Sequence, residues 1–477
     1  MALLCVAATS HSAPGDPLEL TDCRIYAGPG YPGLKARCGT FERYLDPDDP
    51  QSTVLELNVA VVPALSLEPE PDPFVPIAGG PGGASVNFYA SYARAFERIR
   101  RNRDILLIDA RGTGESELMN CEFDDDVIEG TLSREETVKY TQECLDQLPH
   151  DPRFFTTSVA VRDLDALREA LGYPAINVYG SSYGTRVAQH YARRYPDKTR
   201  TIILDGVVPP QLPLGPDIAV EAQAALDNIF ARCEEDAACN ETFPDISDRF
   251  ADVEAQLVEE SQELTISHPI TGRMEEYSFG DDELAGTIRL MSYSPDTVSL
   301  MPLMIHAASE GNFTPLASMF VSVSESMSDA LAIGMHNAVV CTEDVPFFEN
   351  IDFDALKLTY IGPMMTEALI DICSVWPKGV LDDDLRVPLA TDLPVLLLSG
   401  SADPVTPPAF GDLAAVALEN ARHLTGLNQG HGLAGQGCMP DIIGQFVEDA
   451  SFDEIDTECM EQLFAMPFFL DFTGPSP

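Results

Sequence analysis

The stretch Gly180-Ser181-Ser182-Tyr183-Gly184 matches GxSxG, a pattern in which small flanking residues let a strained serine protrude from a sharp turn between a strand and a helix. A hydroxyl is a poor nucleophile until a base takes its proton, and that base must itself be oriented by an acid. Ser182 therefore needs two partners further along the chain. Asp403 lies in Ser399-Gly400-Ser401-Ala402-Asp403-Pro404, a turn sequence directly after an apolar run, and His431 lies in Asn428-Gln429-Gly430-His431-Gly432, a glycine-flanked loop. His423 competes poorly as base, because it falls inside a predicted strand. The pentapeptide alone also fits a Gly/Ser turn without chemistry, so the setting of all three residues carries the reading.

Attack on a carbonyl generates an oxyanion, which needs preorganised N–H donors. The backbone amide of Tyr183 is one expected donor and that of Gly80, in Gly79-Gly80-Pro81-Gly82-Gly83, is the other. The same glycine run read as a phosphate cradle lacks a following GK[ST], and no helix cap is evident after it.

The elements that must position these groups alternate. Residues 35–63 suit two strands, Pro73–Ile77 leads into the glycine run, and Ile105–Asp109 is a short buried strand ending in a turn. Ala160, Leu164, Leu167 and Leu171 share one face of a helix that starts at Thr157/Ser158 and stops at Gly172. A strand over Ala175–Tyr179, a helix over Thr185–Tyr195 halted by Pro196, and a strand over Thr201–Leu204 follow. That rhythm predicts an α/β fold with a mostly parallel central sheet flanked by helices. After Pro209-Pro210 long helical stretches such as Ile218–Cys233 and Ile246–Glu260 take over, and strand rhythm returns with Pro394–Leu398 and Ala421–Leu424. Residues 35–206 and 390–477 are thus expected to form the core, and 207–389 a mainly helical cap.

Composition narrows the function classes. The 77 acidic against 28 basic residues give a formal charge of −49, which excludes nucleic acid as a natural partner because nothing would neutralise phosphates. The cluster Arg98, Arg100, Arg101 and Arg103 reads as an exposed face leading into a strand. Eleven cysteines contain no CxxC pair and no His/Cys cluster at ligand spacing, so a metal site is not expected and no cofactor is called for. Setting Cys5 aside, ten remain, and pairing neighbours in order joins Cys23 to Cys38, Cys121 to Cys144, Cys233 to Cys239, Cys341 to Cys373, and Cys438 to Cys459. That is one of the connectivities the count allows. The apolar run Ala2–Ala8 before small and polar residues reads as a signal-peptide remnant over residues 1–13, and export agrees with the cysteine usage. No run of about eighteen apolar residues exists, so membrane insertion is not expected.

Taken together, Gly79-Gly80-Pro81-Gly82, Asp109-Ala110-Arg111-Gly112-Thr113-Gly114, Asp163-Leu164 with Leu167-Arg168, Gly180–Thr185, Leu204-Asp205-Gly206, Asp403-Pro404-Val405-Thr406-Pro407 and Gly430-His431-Gly432 resemble the proline iminopeptidase and tripeptidyl aminopeptidase group of α/β-hydrolases. The segment from Asp403 through Cys438 and Cys459 is similar to the C-terminal part of the secreted tripeptidyl-aminopeptidase branch. Ala78 stands where many proline iminopeptidases carry His, which argues against narrow proline specificity. The resemblance implies an exported serine peptidase that releases N-terminal residues or short peptides, with peptides as its substrates. Such an enzyme must hold an ammonium group, and Glu343 and Asp344, beside Cys341 in the expected cap, are the candidate carboxylates. An esterase or lipase using the same triad is the alternative within catalysis, and a non-catalytic binding protein the alternative outside it.

Acidic residues spread along the whole chain repel one another, and salt screens that repulsion. The thermal midpoint is therefore expected to rise from low to molar salt, as in proteins of salt-adapted organisms. An equal midpoint in both, measured by circular dichroism, removes self-repulsion as a factor.

Overall fold

The computed structural model describes residues 18–28, 30–121, 132–269 and 271–473. The expected signal-peptide remnant, with Cys5, lies outside them. Among the described residues nine strands form one sheet: β1 (Thr21–Ile25), β2 (Leu34–Tyr44), β3 (Val54–Val62), β4 (Phe74–Ile77), β5 (Ile105–Ile108), β6 (Ile176–Ser181), β7 (Thr199–Asp205), β10 (Val395–Gly400) and β11 (Ala421–Gly426), with β8 (Gln262–Ser267) and β9 (Met274–Phe279) pairing apart as a hairpin. The order across the sheet is β1-β2-β3-β5-β4-β6-β7-β10-β11. From β5 to β11 every pairing is parallel, whereas β1, β2, β3 and β5 pair antiparallel. The sheet is thus mostly parallel, as expected, while β1 and the β8–β9 hairpin went unread because both are short and largely polar.

Why the central strands sit inside is plain from their residues. Ile105–Ile108 and Val395–Gly400 are buried throughout, the near-continuous burial typical of strands covered on both faces. Alternate residues then face opposite layers. Leu106, Val178, Leu204 and Leu397 pack with one cluster, which includes α2 (Thr157–Ala170) and α3 (Tyr183–Arg194). Leu107, Tyr179, Ile203 and Leu398 pack with the other, against α1 (Ser85–Tyr92) and α7 (Met439–Asp449). A separate apolar cluster joins α4 (Pro216–Glu235), α5 (Asp281–Met291) and their neighbours between residues 219 and 361, together with Phe468. α6 (Ile333–Glu343), within the span expected to be cap, instead sends Met335, Ala338 and Val339 into the cluster under the main sheet.

The five disulfides join the cysteines in the neighbouring order expected. One surface expectation fails. Arg103 is buried and its Nε donates to Asp72 Oδ2 at 2.8 Å, so only part of the arginine cluster faces solvent.

A buried ion pair ties β5 to α2. Arg111, fully buried, donates from Nε and Nη2 to the two carboxylate oxygens of Asp163 at 2.7 and 3.0 Å, and from Nη1 to the carbonyls of Leu45 and Phe154. Arg43 Nε adds a third bond to Asp163, at 3.0 Å. Removing one partner leaves a buried charge uncompensated. Asp163→Ala is therefore expected to cost about 3–5 kcal/mol of stability, read from urea unfolding, and a loss below about 1 kcal/mol would show that water reaches Arg111.

Candidate active site

The turn after β6 is built by close approach. A side chain at Gly180 would overlap the carbonyl of Gly184, so the chain can reverse here only with glycine. Ser182 consequently holds φ 54° and ψ −124°, a sparsely populated conformation that costs about 1–3 kcal/mol and is kept by its surroundings. Its amide donates to the carbonyl of Asp205 at 2.8 Å, and α3 begins at the next residue. Thus the helix starts at Tyr183, two residues earlier than the sequence pattern suggests, and Ser182 stands at its N-terminal end. Gly79 lies against it: a Cβ there would be 2.8 Å from Ser182 Cβ and 3.5 Å from its Oγ. The structure therefore brings the Gly79-Gly80 loop and the first turn of α3 to the same serine, where the Gly80 and Tyr183 amides were expected to serve.

Asp403 and His431 come together from separate loops. His431 Nδ1 lies 2.8 Å from Asp403 Oδ2, and the Asp403 side chain is fully buried. Asp403 also accepts from the amides of Val405 and Thr406 at 2.9 Å each, and from Thr406 Oγ1 at 2.7 Å. Thr406 Oγ1 is itself 3.1 Å from His431 Nδ1. Burial works to raise the Asp403 carboxyl, but the His431 charge and these hydrogen bonds outweigh it and hold the group below the usual carboxylate value. For His431 burial disfavours the charged ring, yet the charge and hydrogen bond of Asp403, helped by Asp205, raise it above the ordinary 6.5. The His431 amide donates to the Tyr293 carbonyl at 2.8 Å, and the two rings meet edge-on with centroids 5.1 Å apart. His423, the weaker candidate for base, bonds Asp412 and Ser399 instead.

Asp205 joins the two halves. Its carbonyl accepts from Ser182, and its buried carboxylate accepts from the amides of Leu433 and Ala434, just beyond His431, and from Tyr179 Oη at 2.7 Å. A Cβ at the next residue, Gly206, would lie 2.9 Å from His431 Cε1. Asp205, Thr406 and Tyr293 have no role in the sequence reading of the site. Thr406 had a local signal, a hydroxyl three residues after Asp403 in a turn, and Asp205 a weaker one, an acid before glycine at a strand end. Tyr293 had none, because it comes from a distant segment.

Glu343 and Asp344 require a correction. Both are fully buried, and neither offers an open face to a substrate ammonium. Glu343 accepts from the Thr157 amide and hydroxyl, each at 2.8 Å, so it satisfies the free N-terminus of α2. Asp344 takes the fork of Arg186 at 2.7 and 3.0 Å and the amide of Leu214 at 2.7 Å. The Thr157 hydroxyl is also 2.6 Å from Tyr183 Oη, which links this group to the residue after the serine. Burial, partly offset by Arg186, pushes the Glu343 carboxyl up to about 7.

Comparisons with known proteins agree with this architecture. A family model described as alpha/beta hydrolase fold matches residues 72–238, and one described as TAP-like protein matches residues 358–459. The chain is 27% identical over 449 residues to serine protease Hip1 of Mycobacterium tuberculosis, covering 84% of this chain and 82% of that protein. It is 24% identical over 421 residues to the tripeptidyl aminopeptidase of Streptomyces coelicolor, covering 80% of this chain and 75% of that one. The solved proline iminopeptidase of Mycobacterium smegmatis aligns with 86% of this chain and 98% of its own at 14% identity, with a TM-score of 0.39. The chain thus has an α/β-hydrolase fold, and its C-terminal part is similar to the TAP-like group. By class it is a serine hydrolase.

Since the Asp205 carboxylate holds the loop that carries His431, Asp205→Asn is expected to loosen that loop and lower kcat by about a hundredfold, the scale of a 1 Å misplacement. Unchanged kcat in a well-folded Asp205→Asn protein would show that the loop is held by other contacts.

Proposed function

We propose that this protein is an exported aminopeptidase that releases N-terminal residues or short peptides through an acyl-enzyme, with Ser182 as nucleophile, His431 as base and Asp403 as orienting acid. The observation that carries the reading is the Asp403–His431 bond, on a loop tied through Asp205 to the strained Ser182. In this mechanism His431 Nε2 takes the Ser182 proton as Oγ attacks the carbonyl carbon. Amides of Tyr183 and Gly80 hold the oxyanion. On collapse the C–N bond breaks and His431 returns the proton to the leaving nitrogen. Water, activated by the same imidazole, then splits the ester. Asp403 keeps the Nδ1 proton in place and stabilises the imidazolium between these steps.

The peptidase part rests on the relatives, which are named a serine protease and a tripeptidyl aminopeptidase. Five disulfides favour an oxidising, extracytoplasmic setting. For the substrate ammonium, Glu221 on α4 is the better-suited carboxylate: it is half-buried, no cation pairs with it among the described residues, and burial, with Asp217 and Asp403 adding to it, holds its carboxyl above the usual value.

A panel of aminoacyl and peptidyl anilides beside short-chain esters tests the reading. Anilides with a free amino terminus should be cut, N-acetylated ones poorly, and turnover of esters alone would make the protein an esterase. Ser182→Ala should fold normally, lose fluorophosphonate labelling and fall by orders of magnitude in kcat, whereas a mutant keeping above roughly a tenth of the activity would refute the nucleophile. Because only neutral His431 can accept the serine proton and its pKa is raised, kcat/KM should fall as pH drops through a value above 6.5. A profile flat from about pH 5 to 8 contradicts His431 as base.

A further inference from the structure

Arg289 sits in the last turn of α5, four residues before Tyr293, whose ring and carbonyl contact His431. Its Nη2 donates to Tyr293 Oη at 3.1 Å, and its guanidinium carbon is 5.7 Å from that ring's centroid. Its Nε is buried without an acceptor, and among the described residues no carboxylate pairs with it. That is a conspicuous omission in a chain with 77 acidic residues. Nearby, the Tyr360 hydroxyl is likewise buried without a partner, and the charge of Arg289 acts on Tyr360 and Tyr293 alike. Buried donors left unpaired cost stability that a bound anion would restore. The Arg289 side chain is only half-buried, so an anion can approach it.

Which anion follows from the chemistry of the neighbouring histidine. In the proposed peptidase mechanism His431 hands its proton to the leaving nitrogen, so groups packed beside its ring lie along the leaving portion of the substrate. A planar guanidinium matches a carboxylate in two parallel bonds.

We propose that Arg289, with the hydroxyls of Tyr293 and Tyr360, forms a carboxylate subsite on the leaving side of the scissile bond, selecting short peptides whose departing portion carries a free carboxylate next to the cut. The inference rests on the peptidase reading. The carboxylate is supplied either by the C-terminus of a single departing residue or by an acidic side chain on the first departing residue.

The test uses the full-length protein and four substrates sharing the acyl portion Ala-Ala-Ala, joined to Ala, to Ala-amide, to Asp-amide and to p-nitroaniline, with release at that bond followed by mass spectrometry or absorbance. Wild type is expected to cut the Ala substrate at least about tenfold better in kcat/KM than the Ala-amide. Recovery with Asp-amide assigns the subsite to side chains as well, and failure to recover assigns it to the C-terminal carboxylate. Arg289→Met should lose at least about tenfold more on the free acid than on the anilide, with Arg289→Lys between the two because it keeps the charge and loses the fork. Fluorophosphonate labelling and a thermal melt confirm that each variant is folded. Equal cutting of the Ala, Ala-amide and Asp-amide substrates by wild type, or equal losses on all four substrates in Arg289→Met, overturns the subsite and leaves the peptidase reading standing. If no peptide or anilide is cut while esters turn over, the peptidase reading falls and the subsite with it.

Discussion

Ser182 and the loop that carries His431 are both tied to one buried residue at the end of β7. Asp205 receives the Ser182 amide on its carbonyl and the amides after His431 on its carboxylate, so strand β7 fixes two loops more than two hundred residues apart in sequence. A buried carboxylate is expensive unless its lone pairs are filled. Here two amides and the Tyr179 hydroxyl fill them, and the cost of burial becomes a reason for the loop to stay closed. Burial still raises the Asp205 carboxyl, against those hydrogen bonds, and its charge supports the imidazolium of His431.

Charge is arranged very differently inside and outside. Among the described residues many acids lie at the surface, whereas buried ones have partners, among them Asp163 with Arg111 and Arg43, Asp344 with Arg186, Glu343 with the start of α2, Asp403 with His431 and Asp72 with Arg103. Arg186 lies on α3 itself, so the ion pair with Asp344 anchors the helix that begins at the nucleophile to the end of α6. The Glu343–Thr157–Tyr183 chain runs beside it and reaches the residue that supplies an oxyanion donor in the proposed mechanism. Buried polar links of this kind restrain geometry more than they add stability.

The segment between β7 and β10 contributes to the site in two ways. α6 packs into the core under the sheet and backs the elbow, whereas α5 has its own apolar cluster and delivers Tyr293 and Arg289 to the edge of His431. In the proposed mechanism the triad is carried by loops of the sheet, and in the proposed subsite selectivity falls to side chains arriving from outside it, the usual division where function is grafted onto a common fold.

Local rules sufficed for the parts of the molecule that local sterics and burial govern. Apolar runs such as Ile105–Ile108 and Val395–Leu398 and the glycines at 180 and 184 could be read directly, because strand periodicity and tight turns are decided by neighbouring residues, and the same turns singled out Ser182, Asp403 and His431 as the candidates of the proposed mechanism. The polar strands β1, β8 and β9 left no such trace, since their pairing and not their hydropathy makes them strands. Glu343 and Asp344 were misread for a related reason. Whether a carboxylate faces substrate or a helix end depends on what folds against it, and Thr157 and Arg186 are more than 150 residues away. Tyr293 and Arg289 acquire their places in the same way, as ordinary residue types whose position only tertiary contact decides: Tyr293 packs against His431 and Arg289 bonds Tyr293, while the weak signal at Asp205, an acid before glycine, said nothing of the loop it holds.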